Sequence, residues 1–176
     1  VVVMCLMAVV LITAVMRQAV VMQMTWVGAP TLYYGDEAGV CGWTDPDNRR
    51  SYPWGREDNE LIRFHKEMIR IHRDYQVCKT GSMLYLHSEN GLIVYGRFQG
   101  EEKAVIVVQT GGTQREIQVD VWRLGLKDGE KIASMMATDQ QGFSLEARVL
   151  TVKDGKVSIP VGENGAVLYK SIHSLI

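Results

Sequence analysis

The sequence is short of net charge. Its 19 Lys and Arg stand against 20 Asp and Glu, leaving a formal net charge of −1. A nucleic-acid partner held through its phosphates needs a basic face, so none is expected. Cysteine is scarce as well: Cys5, Cys41 and Cys78, an odd and scattered set with no Cys-x-x-Cys spacing. That excludes a disulfide framework and the usual zinc or redox motifs. Free thiols acting as small hydrophobes are what remains. Unpaired cysteines fit the cytoplasm, although a secreted bacterial hydrolase has the same look. No cofactor and no metal site are expected.

Charge is missing altogether from residues 1–16, VVVMCLMAVVLITAVM, and Arg17 is the first to appear. A secretory signal opens with a basic stretch and closes on a small-residue cleavage site, and neither is here. A membrane-spanning helix needs about 20 apolar residues, and the run is a little short. A helix from the interior of a larger protein is the favoured expectation, with a membrane-anchored domain as the rival. A chain that begins in mid-run points to a beginning elsewhere.

At 176 residues the chain is long enough for one ordinary domain or two small ones. Residues 1–27 read as helix until Gly28-Ala29-Pro30 stops it. Thr31–Tyr34 (TLYY) then reads as a short strand ended by Gly35. Residues 35–56 are dense in Gly, Pro, Asp and Asn, which is loop chemistry. A loop of that length in a compact domain is usually functional or disordered, and Trp43, Tyr52 and Trp54 argue for order. Residues 57–76 form an amphipathic helix, with Leu61, Phe64, His65, Met68, Ile71, His72 and Tyr75 on one stripe. His65 and His72 stand seven apart rather than the four of a metal-binding helix, and read as core-edge residues with hydrogen-bond partners.

After about residue 80 the pattern changes to short strands between Asn-Gly, Gly-Gly and Asp-Gly turns. The strand-like runs are MLYLHS, LIVYGRF, KAVIVVQ, EIQVDVW, KIASMMA, LEARVLTV, KVSIPV and AVLYKS. Some alternate strictly, as Ile117, Val119, Val121 do, and read as half-buried. AVIVV is apolar throughout and suits a central strand. An antiparallel sandwich is expected over residues 81–176, after an α/β piece over residues 1–80. A single strand between helices makes no sheet, so that first piece must borrow neighbours.

The polar residues of the loop leave two readings open. Asp36 and Glu37 are adjacent, and neighbours on a strand face opposite ways, so they are poor partners for one glycosidic bond. A carboxylate folded onto loop amides is preferred for them. Asp45 and Arg49 in DPDNRR either bind sugar hydroxyls beside aromatic faces or form an internal salt bridge that folds the loop.

GAPTLYYGDEAG followed by DPDNRRSYPWGREDNELIRFHKEMIRIHR resembles the α-amylase family, glycoside hydrolase family 13, especially its neopullulanase, cyclomaltodextrinase and amylopullulanase branch. The resemblance implies that Gly28–Glu37 holds the eighth strand of a (β/α)8 barrel. The helices to either side would be the seventh and eighth, and the sandwich would be domain C. Residues 1–16 depart from the family pattern, which carries charges there. The family's Asn-His-Asp motif does not occur, and its nucleophile motif, with Arg two places before its Asp, is expected to be absent as well. The resemblance therefore implies a C-terminal fragment of a retaining α-glucan hydrolase, inactive alone, with none of the catalytic carboxylates. It implies that Asp45 and Arg49 hydrogen-bond glucose, and that Glu37 is structural. The partner would be an α-glucan oligosaccharide in the full-length parent. Uncovered strand edges on the fragment would drive self-association through residues 1–34. A free-standing carbohydrate-binding sandwich is the rival, and an exposed row of aromatics would favour it. Tyr85, Tyr95, Phe98, Trp122, Phe143 and Tyr169 are scattered instead.

Overall fold

The computed structural model describes residues 2–172, and side chains from Thr13 onward. The side chains of residues 1–12, including Cys5 and most of the charge-free run, lie outside the described set. Helix α1 covers Val2–Thr25, α2 Asn59–Asp74 and α3 Gln76–Thr80. Nine strands follow: β1 Ser82–Glu89, β2 Leu92–Gln99, β3 Glu102–Gln109, β4 Arg115–Asp120, β5 Lys131–Thr138, β6 Phe143–Ser144, β7 Val149–Thr151, β8 Lys156–Val161 and β9 Ala166–Ile172. Among the described residues no helix is long and apolar enough to cross a membrane.

All strand pairs are antiparallel. The large sheet runs β1-β2-β3-β9-β5, with β6 and β7 each holding a part of β5; β4 and β8 form a second, two-stranded sheet. The small sheet packs on one face of the large one. Val105, Val107, Val167 and Tyr169 meet Ile117, Val119, Val157, Ile159 and Val161 there. The helices pack on the other face. Val20, Val21 and Met24 of α1, Phe64, Met68 and Ile71 of α2, and Val77 and Cys78 of α3 meet Tyr95, Ile106, Val108, Met136 and Leu168. The AVIVV run is thus apolar throughout because β3 is covered on both sides. The alternation in β4 and β8 records their single buried face. Asp154 and Gly155 both take positive φ, 51° and 71°, as a tight hairpin turn between Lys153 and Lys156 requires.

Three sequence expectations need correction. Thr31–Tyr34 is not a strand: residues 31–33 have no regular structure, Tyr34 already enters a turn, and none of the four joins a ladder, without which a short β-prone run does not become a strand. The run through Trp122 stops at Asp120, where Val121–Leu124 tightens into a 3-10 turn that buries Val121 and Leu124. Of LEARVLTV only Val149–Thr151 pairs, and Phe143–Ser144 adds a short strand outside the predicted runs.

Polar side chains tie α1 to the sheet. Arg97 on β2 is 0 % exposed. Its Nη1 donates to the Thr25 carbonyl at 2.5 Å, and its Nη2 and Nε donate to the Gly81 carbonyl at 2.7 and 3.2 Å. Burial lowers its pKa from the ordinary value. The guanidinium thereby satisfies a carbonyl at the C-terminus of α1, where cations are favoured. Beside it the Thr25 and Tyr95 hydroxyls bond at 2.6 Å, and Trp26 packs edge-on against Tyr95. At the other end Arg17, 2 % exposed, donates to Thr138 Oγ1 and the Asp139 carbonyl at 2.8 Å each and approaches Glu60 at 3.5 Å. Gln18 donates to the Gln109 carbonyl and accepts from Thr110.

Replacing Arg97 by Met keeps the volume and strands two buried carbonyls. At about 1–3 kcal/mol for each unsatisfied group, Arg97→Met should lower unfolding free energy by roughly 2–6 kcal/mol in urea denaturation. A loss under about 1 kcal/mol would mean that the carbonyls find other partners.

Candidate functional site

The loop between α1 and α2 carries the predicted site residues. Gly28, with φ of 108°, turns the chain out of α1, and Gln23 Nε2 bonds the Thr31 carbonyl. Tyr33 and Tyr34 follow with rings 4.8 Å apart, both about half exposed. Tyr34 donates to the Arg50 carbonyl at 2.9 Å, which draws the loop's two limbs together. Gly35, at φ of 93°, leads into the 3-10 turn Asp36–Ala38. There Glu37 Oε2 accepts from the Gly35 amide at 3.0 Å, the structural role expected of it. Its charge and that of Glu57, after desolvation, raise the pKa of Tyr52.

The structure brings Asp45 and Arg49 together. Arg49 Nε lies 2.7 Å from Asp45 Oδ1, and its Nη2 donates to Oδ2 at 3.2 Å. Both side chains are well exposed, at 60 % and 68 %. A second pair, missed in the sequence reading, runs in parallel: Arg50 grips Asp47 at 2.7 Å, and Asp47 Oδ2 accepts the Trp43 amide at 2.9 Å. Trp43 and Trp54 are 83 % and 82 % exposed, and Tyr52 leans on Trp54 with centroids 4.5 Å apart. The loop therefore presents a forked charge pair and two open indole faces. Such a surface can take a neutral polyhydroxylated ring by hydrogen bonds at its edge and stacking on its C–H face.

The expected absence of an arginine two places before an aspartate needs correction, because Arg56-Glu57-Asp58 has that spacing. Asp58 is no nucleophile here. Its Oδ1 accepts the Leu61 amide at 2.9 Å and caps α2, a signal readable in the sequence as an acid before an apolar run. His72 Nδ1 meets the Met24 carbonyl at 2.8 Å. His65 Nδ1 meets the Leu61 carbonyl at 2.9 Å, but its Nε2 is buried without a partner. Among the described residues no group of three or more His, Cys, Asp or Glu could hold a metal ion.

Hydrogen bonds from Arg50 and then the Trp43 amide lower the pKa of Asp47. A depressed carboxylate pKa makes its pair complete above the ordinary value of about 3.9, and lost as pH falls through the lower folded value. In an acid titration Trp43 fluorescence should hold through the ordinary carboxylate range and change only below it. Asp47→Asn should show the changed signal already at neutral pH. Superimposable titrations of the two proteins would show that the pair does not order the loop.

No protein-family profile matches the chain. An amylopullulanase of Thermoanaerobacter thermohydrosulfuricus is 35 % identical over 164 residues, which is 87 % of this chain and 10 % of that protein. Neopullulanase 2 of Thermoactinomyces vulgaris is 32 % identical over 115 residues, 63 % of this chain and 20 % of that one. The crystal structure of an Anoxybacillus α-amylase superposes with a TM-score of 0.77 at 22 % identity, over 92 % of this chain and 33 % of that one. The chain thus spans only a tenth to a fifth of these curated relatives' length. Sequence and fold agree, and the chain belongs to the α-amylase family of glycoside hydrolases.

Proposed function

We propose that the chain is the C-terminal portion of an α-glucan hydrolase. Residues 1–80 would be the end of its (β/α)8 catalytic barrel, and residues 81–176 its domain C. The carrying observation is Thr31–Tyr34: a β-prone run that joins no ladder and begins, at Thr31, on an apolar groove. Such a segment is what one barrel strand becomes without the neighbours that hydrogen-bond it. The likeness to amylopullulanase and neopullulanase supports the same reading.

In that reading the bond-breaking carboxylates belong to barrel strands outside this chain. Three acids of the loop are otherwise engaged: Glu37 on an amide, Asp47 on Arg50, Asp58 on the α2 cap. The chain would contribute substrate contacts. Asp45 would accept from glucose hydroxyls and Arg49 would donate to them, the pair holding each other's geometry meanwhile. Of the sandwich aromatics Tyr95 and Tyr169 are buried, while Tyr85 and Trp122 stand open on separate elements, β1 and the turn after β4; the absence of a longer exposed row favours this reading over a free-standing carbohydrate-binding module.

The groove beside Pro30 encloses about 560 Å³ between Met22, Trp26, Val27 and Ala29. With Leu32, Tyr33 and Tyr34 also exposed, this face is a candidate for covering by barrel sequence or by a second copy. The isolated chain is expected to self-associate through residues 1–34. Light scattering that shows a monomer at high concentration would oppose this.

The purified chain should release no sugar from maltoheptaose, and steady hydrolysis would overturn the assignment. Substituted for the matching segment of a cyclomaltodextrinase, it should support cyclodextrin hydrolysis. In that chimera Asp45→Ala and Arg49→Ala should each raise KM by about tenfold or more, the loss of a charged hydrogen bond of roughly 1.5–3 kcal/mol. An unchanged KM in both would remove them from the substrate site.

A further inference from the structure

The sequence sets two arginines side by side, and the structure gives them different partners. Arg49 turns to Asp45. Arg50 turns to Asp47: its Nε donates to Oδ1 at 2.9 Å, and its Nη2 donates to Oδ1 and Oδ2 at 2.7 and 2.9 Å. Two of its three guanidinium nitrogens are thereby committed, and the fork that could recognise a ligand is spent on the loop itself.

The Asp45–Arg49 pair does not hold its own geometry. Both side chains are well exposed, and an exposed ion pair between flexible side chains supplies little order by itself. What is held is the backbone beneath it. The 3-10 turn Asp47–Arg49 lies between the two residues. The Asp47 amide donates to the Thr44 carbonyl at 2.9 Å, and the Arg49 amide donates to the Pro46 carbonyl at 3.0 Å. Gly42 packs directly on this turn, where a Cβ would stand 2.7 Å from Asn48 Cα, so no larger residue fits. The Asp47 carboxylate takes the Trp43 amide on one oxygen while Arg50 grips both. It therefore ties residue 43 to residue 50 across the turn.

Arg50 also fastens the turn to the rest of the loop. Its carbonyl accepts the Tyr34 hydroxyl at 2.9 Å. Tyr34 belongs to the limb that leaves α1 through Gly28, and its ring lies against Tyr33. One residue thus carries two ties. Its side chain braces the turn, and its carbonyl anchors that turn to the limb launched from α1.

We propose that Arg50 is a positioning residue, which holds Asp45 and Arg49 at the spacing that sugar hydroxyls require and touches no sugar itself. The proposal rests on the sugar-contact role given above to Asp45 and Arg49. A pair held ready spares binding the cost of ordering it, so the effect falls on KM. The bond-breaking carboxylates lie outside this chain in that reading, so kcat is spared.

The cyclomaltodextrinase chimera tests the role in activity, and the chain alone tests it in structure. In the chimera Arg50→Ala should raise KM for cyclodextrin about fivefold and change kcat by less than about twofold. Arg50→Lys should behave like Arg50→Ala, because a single ammonium does not reproduce the fork. Added to Asp45→Ala and Arg49→Ala together, Arg50→Ala should cost less than about twofold more, since its effect passes through that pair. A further fivefold loss in that background would overturn the proposal and put Arg50 on the sugar. An unchanged KM in Arg50→Ala, while Asp45→Ala and Arg49→Ala each raise it, would overturn it as well. An unchanged KM in all three would overturn both the proposal and the reading beneath it. In the free chain, NMR should show the Arg49 Nε proton exchanging with water about fivefold faster in Arg50→Ala than in the wild type, at the same unfolding temperature. Equal exchange rates would overturn the proposal whatever the chimera shows.

Discussion

Arg97 is the constraint on which the arrangement depends. A guanidinium 0 % exposed, with no carboxylate beside it, is tolerable only because its donors meet two carbonyls that would otherwise be orphaned. One of those carbonyls ends α1 and the other precedes β1. The same side chain therefore sets where the first helix stops and where the sheet begins. Apolar contact alone lets a helix slide or turn on a sheet; the Arg97, Arg17 and Gln18 bonds specify one position.

That specification reaches the candidate loop and the far end of β5. With α1 held, Gly28 launches the loop from a defined point, and Tyr34 and Arg50 close it from the far side. Through Arg17 the same helix also grips Thr138 and Asp139. The helical layer is thus more than an addition to the sandwich. It covers one face of the large sheet, while the small β4–β8 sheet covers the other. The small sheet has only two strands, so it leaves the β5 side of its face uncovered, and a cleft opens there.

Much of this was legible in the residues. The stripe from Leu61 to Ile71 marked α2, and its first-turn acids marked the start. The alternation in β4 and β8 and the unbroken run in β3 marked half-buried and fully buried strands. The pairing of Asp45 with Arg49 was one of two readings that the DPDNRR spacing allowed. Other features were hidden. Arg17 stood out only as the first charge after an apolar run, and nothing local shows that its partner is 121 residues away. Tyr169 read as one aromatic among several, because its burial beneath the small sheet depends on strand pairings that leave no local mark.

By itself the sequence determined the element types, the turns and the family likeness, because these follow from local propensity, periodicity and contiguous motif residues. Only the tertiary structure decided that Thr31–Tyr34 goes unpaired, that two arginines are buried as clamps, and that Tyr34 closes the loop on the Arg50 carbonyl. Each of those depends on which distant groups come within hydrogen-bonding reach, and local residue order does not encode that distance.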